Sequence, residues 1–171
     1  DSSAEILRRH AQRDSRIRLV DKPNAGYGHT INLGISLATG EYLGILESDD
    51  FAESDMLQRL YEVAESKRLD VVRANYWLYW SSPEPRNEFV EFCQQEHCGS
   101  VFSPREYIEP FFFPPALWSM LVRRELIAKN GLRLLETPGA SFQDTSFSFK
   151  IWSVAKRAML LHEAFLHYRQ D

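Results

Sequence analysis

The sequence has little cysteine. Cys93 and Cys98 are the only two, too few for a disulfide-stapled scaffold, so the 171-residue chain must rely on a packed core. It has no apolar run approaching the roughly 18 to 20 residues of a membrane-spanning helix. It has no internal repeat and no low-complexity tract. Nor has it an excess of basic charge: 20 Lys and Arg stand against 24 Asp and Glu, a formal net charge of -4. That balance argues against the basic stripe of a nucleic-acid binder. A phosphate-bearing ligand would need local help from a metal, a helix N-terminus or placed cations. What is present is a hydrophobic fraction of 44% and a charged fraction of 26%, the composition of one globular domain. The chain opens on Asp1 with no signal-peptide pattern, which suggests a piece of something longer.

The first half alternates helix and strand. Residues 4–13 (AEILRRHAQR) read as a helix capped by Ser2 or Ser3, and residues 17–21 (IRLVD) as a short strand. A Pro/Asn/Gly loop over 22–28 leads into a helix over 29–38, stopped by Gly40. Residues 42–46 (YLGIL) form the continuous apolar run of a buried parallel strand. A helix over about 54–67 follows, with Leu57, Leu60, Tyr61 and Ala64 on its buried face, then a β-rich aromatic stretch over 69–80. This order predicts a parallel α/β sheet. Because it begins on a helix, one or more strands are expected upstream. The second half gives helices over 123–130 and about 144–155, strand-like stretches over 159–161 and 165–168, and an apolar bend at Phe111–Pro115. No clean linker separates the halves, so one domain with lobes 1–80 and 81–171 is expected.

Three local features bear on chemistry. Glu47-Ser48-Asp49-Asp50 crowds three carboxylates at the carboxyl end of a strand, where ligands bind in open α/β sheets. Like charges so placed repel unless a hard cation neutralises them, and Mg²⁺ or Mn²⁺ would then bridge to substrate phosphates. Asn24-Ala25-Gly26-Tyr27-Gly28 precedes a helix, and its glycines allow a ligand close to the backbone; it is neither a Walker A loop nor a dinucleotide fingerprint. Phe142-Gln143-Asp144 opens a helix, and Asp144 is placed to cap it or to act as a general base. Taken singly, the ordinary reading of each stands ahead: an acidic turn, a strand–helix turn, a cap. Cys93 and Cys98, even with His97 beside them, lack the C-x₂-C spacing of zinc pairs and read as ordinary thiols.

Together, in this order, the segments resemble family 2 glycosyltransferases of the GT-A fold. The resemblance runs through Asn24-Ala25-Gly26, Asn32-Leu33-Gly34, Ala38-Thr39-Gly40-Glu41-Tyr42 and the acidic tetrad. It continues through Trp118 to Leu126 (WSMLVRREL), Phe142-Gln143-Asp144, Lys156-Arg157 and His167-Tyr168-Arg169, and covers nearly the whole chain. It implies a three-layer α/β/α GT-A-like fold with a mixed, mostly parallel sheet that lacks the family's first strands. It also implies site residues. Asp144 matches the catalytic base. Asp49, with Glu47 and His167, matches the metal ligands. Glu47, Asn24, Gly26 and Asn32 match the donor-binding positions. The chain departs from the pattern at Glu47, where Asp is usual, at Gln143, where Glu is usual, and at Ile31, where many members carry Arg before the Asn.

The implied activity is a metal-dependent inverting transfer of a sugar from a nucleotide-diphospho-sugar, UDP-sugar first among them. The acceptor would be a hydroxyl on a glycan or a lipid-linked glycan, in cell-surface polysaccharide synthesis. Mn²⁺ or Mg²⁺ is the implied cofactor, further domains are implied on either side, and the implied setting is the bacterial cytoplasm at the inner face of the membrane. Trp118 and the Phe111–Phe113 stretch offer a sugar platform or, equally, core packing. The rival reading is an inactive nucleotide-sugar or carbohydrate binding module of the same fold. A phosphotransferase on a doubly wound sheet is disfavoured, since the tetrad lacks the D-x-D-x-[TV] context.

Overall fold

The computed structural model describes residues 2–139 and 142–171. Helix α1 spans Ser3–Arg13 and α2 Gly26–Leu37; β1 (Tyr42–Gly44) and β2 (Phe51–Ala52) flank the acidic tetrad, and α3 covers Met56–Ser66. The long strand β3 (Val71–Trp80) turns back into β4 (Arg86–Val90). Then come β5 (Met120–Arg123), α4 (Arg124–Lys129), α5 (Gln143–Val154) and β6 (Ala158–Arg169).

The described strands form one sheet in the order β1-β5-β3-β6-β2, with β4 added to the far half of β3. Strands from both halves of the chain therefore alternate in a single sheet. The sheet is mixed, but the expected parallel majority is absent among the described strands. Only β3 and β6 run parallel, while β1–β5, β3–β5, β3–β4 and β2–β6 are antiparallel. The sequence order β-α-β misleads here because β5, brought in from far along the chain, inserts between β1 and β3.

Both faces are covered. Val72, Ala74, Leu121, Met159 and Leu161 pack on one face under Met56, Leu60 and Ala64 of α3. On the other, Val71, Val122, Ala158 and Leu160 pack with Ile127 of α4 and with Phe147, Ile151 and Trp152 of α5, with Ile31 and Ile35 of α2 beside them. Period-2 alternation thus feeds two cores from the same strands. Buried on both faces, β3 is buried throughout Val71–Tyr76. Its register with β6 shifts around Asn75. The Asn75 side chain satisfies the backbone there, donating to Cys93 O and His162 O and accepting from the N–H groups of Phe92 and Cys93.

Four expectations need correction. Residues 17–21 form no strand, because no described strand lies beside them to supply a ladder; Leu19 and Val20 are exposed. The run 42–46 is not a buried parallel strand: β1 ends at Gly44 and pairs antiparallel with β5, and Leu46 is exposed. The buried stripe of α3 is Met56, Leu60 and Ala64, spaced i, i+4, i+8, so Leu57 and Tyr61 face outward at 58% and 45% exposure. The two strand-like stretches at the C-terminus are one continuous strand, β6, whose register against β3 shifts partway along.

Candidate functional site

The segment after β1, the start of α5 and the end of β6 meet at one end of the sheet. They enclose a cleft of about 360 Å³ lined by Tyr27, Glu47, Asp49, Asp50, Leu117, Trp118, Phe142, Gln143, Asp144 and Tyr168. The expected base position and the expected acidic tetrad, 94 or more residues apart in sequence, thus share a wall.

The charges in this cleft are poorly compensated. Glu47 is half-buried and its pKa is raised, first by burial and further by Asp49, Asp50 and Asp144; a hydrogen bond from Tyr27 opposes the rise. In that bond Tyr27 Oη donates to Glu47 Oε1 at 2.7 Å. Burial beside this carboxylate raises the Tyr27 phenol above its ordinary pKa, so the tyrosine keeps the proton that it donates to Glu47. Asp50 accepts from the Arg169 backbone N–H at 3.0 Å through Oδ1. Its Oδ2 is buried with no hydrogen-bond partner, and burial raises its pKa too. Asp49 is exposed at the rim. Asp144 lies in the first turn of α5, where a carboxylate suits the helix dipole, and Oδ1 accepts from Thr145 N–H at 2.7 Å.

Gln143, buried to 1% exposure, explains its departure from the family pattern. Its Nε2 donates to Thr137 Oγ1 at 2.8 Å and to Gly139 O at 3.0 Å. A glutamate could not donate to these oxygens. The amide fastens the 137–139 segment to the helix that carries Asp144.

The glycines of the Asn24–Gly28 loop serve protein packing. A Cβ on Gly28 would sit 2.0 Å from Leu135 O, and one on Gly26, at φ +83°, would sit 3.2 Å from Thr137 O. What approaches this backbone is the 135–139 segment. Asn24 forms a local turn, its Oδ1 accepting from Gly26 N–H at 3.0 Å. Asn24 and Gly26 line an open depression that shares Tyr27 with the cleft.

Two expected site residues stand elsewhere. Asn32 is buried at 3% exposure and fully engaged: Nδ2 donates to Leu134 O and Glu136 Oε1, and Oδ1 accepts from Leu134 N–H. It ties α2 to the 134–136 segment and has no donor group left for a ligand. His167 does not join the acids. Strand alternation sends Tyr168 into the cleft and His167 to the opposite face, where Nδ1 meets Asn87 Oδ1 at 2.8 Å and Nε2 meets Glu53 Oε1 at 2.9 Å. Its ring stacks on Phe51 at 4.4 Å. Among the described residues no three His, Cys, Asp or Glu side chains form a ready-made metal cage.

Sequence reasoning missed Tyr27 and Tyr168 as cleft residues. Tyr27 lay inside a loop read only for its glycines. Tyr168 lay beside a histidine that drew attention through its metal-ligand chemistry, and the alternation of one strand forbids both from facing the acids.

The profile of "Glycosyl transferase family 2" matches residues 1–113. The chain is 32% identical to the uncharacterized glycosyltransferase EpsJ of Bacillus subtilis, over 100% of this chain and 50% of that protein. It is 27% identical to the glycosyltransferase GlyG of Streptococcus pneumoniae, over 99% of this chain and 58% of that protein. It therefore spans about half the length of the curated relatives it matches. The fold matches that of S. aureus TarS 1-349, crystallised with UDP-GlcNAc, with a TM-score of 0.73 at 16% identity, over 100% of this chain and 47% of that one. No helix among the described residues is long and apolar enough to cross a membrane.

Proposed function

This chain belongs to glycosyl transferase family 2, and on that premise we propose that it carries the catalytic cleft of a metal-dependent, inverting transferase using a nucleotide-diphospho-sugar. The observation that supports this most is the cleft itself: Glu47, Asp49, Asp50 and Asp144 line one space, with two of the four held at raised pKa by burial.

The donor atoms fit a hard divalent cation. They are oxygen only, and one, Asp50 Oδ2, is buried without a partner, a state that costs free energy unless something positive approaches. Asp49 and Glu47 would hold Mn²⁺ or Mg²⁺. Bound there, the cation would supply charge neutralisation for the departing diphosphate. Asp144 takes the proton from the acceptor hydroxyl. As that oxygen bonds to the anomeric carbon, the bond from this carbon to the diphosphate oxygen breaks, and the nucleoside diphosphate leaves with the electron pair. A single protein carboxylate suffices as base. Tyr27 holds Glu47 in place, and Gln143 holds the turn that presents Asp144. The UDP-sugar complex of the structural neighbour supports a UDP-sugar as first choice of donor, and such a donor would place the work in the cytoplasm.

The test is Asp144→Asn in the full-length protein. Transfer is expected to fall by about 10² to 10⁴-fold, the range for loss of a general base, with donor binding retained. Transfer at near the wild-type rate would remove Asp144 from the mechanism. Retained binding with no turnover of any nucleotide sugar by the wild type would make the protein a binding module instead.

A further inference from the structure

We infer that the acceptor is a neutral sugar, seated by its apolar face on an aromatic wall made of Trp118 and Tyr168, and that anionic sugars are excluded. The inference rests on the transferase reading for the word acceptor, but its physical basis is separate.

The wall is built as a unit. Trp118 stacks on Tyr168, ring centroids 5.2 Å apart and planes 29° apart, and Tyr76 meets Trp118 edge-on at 4.6 Å and 89°. Tyr168 is 40% exposed, and both it and Trp118 line the cleft. A buried cation holds the loop that carries Trp118. Arg73, wholly buried, donates through Nη2 to Pro114 O at 2.7 Å and through Nε to Ser119 Oγ at 3.2 Å. Its guanidinium lies 4.3 Å from the Phe92 ring centre. Burying an arginine on a carbonyl and a hydroxyl is expensive, and what it secures is a segment whose one cleft-facing aromatic is Trp118. A fixed aromatic surface beside hydrogen-bonding carboxylates matches the two halves of a sugar ring, its C–H face and its hydroxyl rim.

Charge selects within that class. Among the described residues no Lys, Arg or His lines the cleft, against four carboxylates. The cation nearest in sequence to the wall, Arg169, has its guanidinium 5.7 Å from the Tyr79 ring centre; its charge partly offsets that of Asp50, but it does not line the cleft. With the proposed cation engaged by the donor's diphosphate, a uronate or phosphorylated sugar on the wall would face like charge with no protein cation lining the cleft to pair it.

The experiment is saturation-transfer NMR on the full-length protein saturated with UDP and diamagnetic Mg²⁺, so that the diphosphate engages the cation. The probes are the methyl glycosides of glucose, galactose and N-acetylglucosamine against those of glucuronate and galacturonate. Glucose and glucuronate differ only in carrying CH₂OH or carboxylate at C6. At least one neutral glycoside is expected to bind ten times or more tighter than any uronide. Trp118→Ala should weaken that binding at least tenfold, and Trp118→Phe should restore most of it. Tyr168→Ala, at a position 40% exposed, should weaken it several-fold, with the fold checked by circular dichroism. Equal or better binding of a uronide overturns the inference, as does neutral-sugar binding indifferent to both Trp118→Ala and Tyr168→Ala, or no binding of any neutral glycoside. Neutral-sugar binding through the wall in a protein that turns over no donor upholds this inference while defeating the transferase reading.

Discussion

Strand β6 turns His167 and Tyr168 to opposite sides, and the two surroundings differ in kind. Around His167 the chemistry is closed: both ring nitrogens are hydrogen-bonded, and Phe51 covers one face of the ring. Around Tyr168 it is open: four carboxylates face one space, a buried oxygen of Asp50 has no partner, and Tyr168 itself is 40% exposed. Folding alone would favour the first arrangement everywhere, since unmade hydrogen bonds and crowded like charges both cost free energy. The second persists where a ligand completes it. The same contrast recurs among neighbouring residues of α2. Asn32 and Gly28 are used up in holding the 134–136 segment, while Tyr27 reaches the acids.

The contrast can be broken from its closed side. Gly28→Ala should be the most damaging single methyl group considered, because its Cβ would lie 2.0 Å from Leu135 O, a backbone atom. Overpacking of this kind costs about 1–3 kcal/mol and occasionally more, and denaturant unfolding should show the upper end or an unfolded chain. Wild-type stability would mean that the 135–139 segment does not sit on α2. A smaller and more discriminating pair is His167→Ala with Asp49→Asn. Loss of both His167 hydrogen bonds and its stacking should cost about 2 kcal/mol while leaving Mn²⁺-induced stabilisation intact. Asp49→Asn at the exposed rim should barely change stability without metal and should abolish that stabilisation, which reaches about 2.7 kcal/mol for the wild type at a hundred times Kd. The reverse pattern would return His167 to the metal and reassign Asp49 to the surface.

Much of this was legible in the sequence, but unevenly. Helical periodicity located α1, α2, α3 and α5 to within a few residues, because apolar spacing is a local property. The order of motifs brought out the acidic tetrad and Asp144, which the fold places in one cleft. Strand partners are not local, so neither the insertion of β5 between β1 and β3 nor the unpaired state of residues 17–21 was visible. Which way a side chain faces was equally hidden: His167 carries the better ligand chemistry, and only the register of β6 with β2 and β3 shows that it looks away. Gly26 and Gly28 were read as room for a ligand, yet a glycine reports only that some backbone comes near, and here it is the protein's own.

The smallest effect sharpens the comparison most, because it measures the incomplete side directly. In the folded protein Glu47 titrates above its ordinary value, chiefly through burial, with Asp49, Asp50 and Asp144 adding to the rise. The folded state therefore holds this proton more tightly than the unfolded chain does. Below the unfolded carboxylate pKa both states are protonated and Glu47 contributes its full share of stability. As pH rises through the raised folded value that share is lost, since the folded protein must then carry an unwelcome charge. Asp50, raised by burial, acts in the same direction. Other groups titrate over the same range, so the informative quantity is the difference between Glu47→Gln and wild type, followed by thermal unfolding without metal from about pH 4 to about pH 8. The variant should gain on the wild type as pH rises, by a few degrees in Tm at the upper end. Added Mn²⁺ should stabilise the wild type increasingly over the same range, because the cation needs the carboxylate that the proton otherwise occupies. A difference that stays flat with pH, or that grows as pH falls, would show that Glu47 is already well compensated and that the cleft is a finished surface like the one around His167.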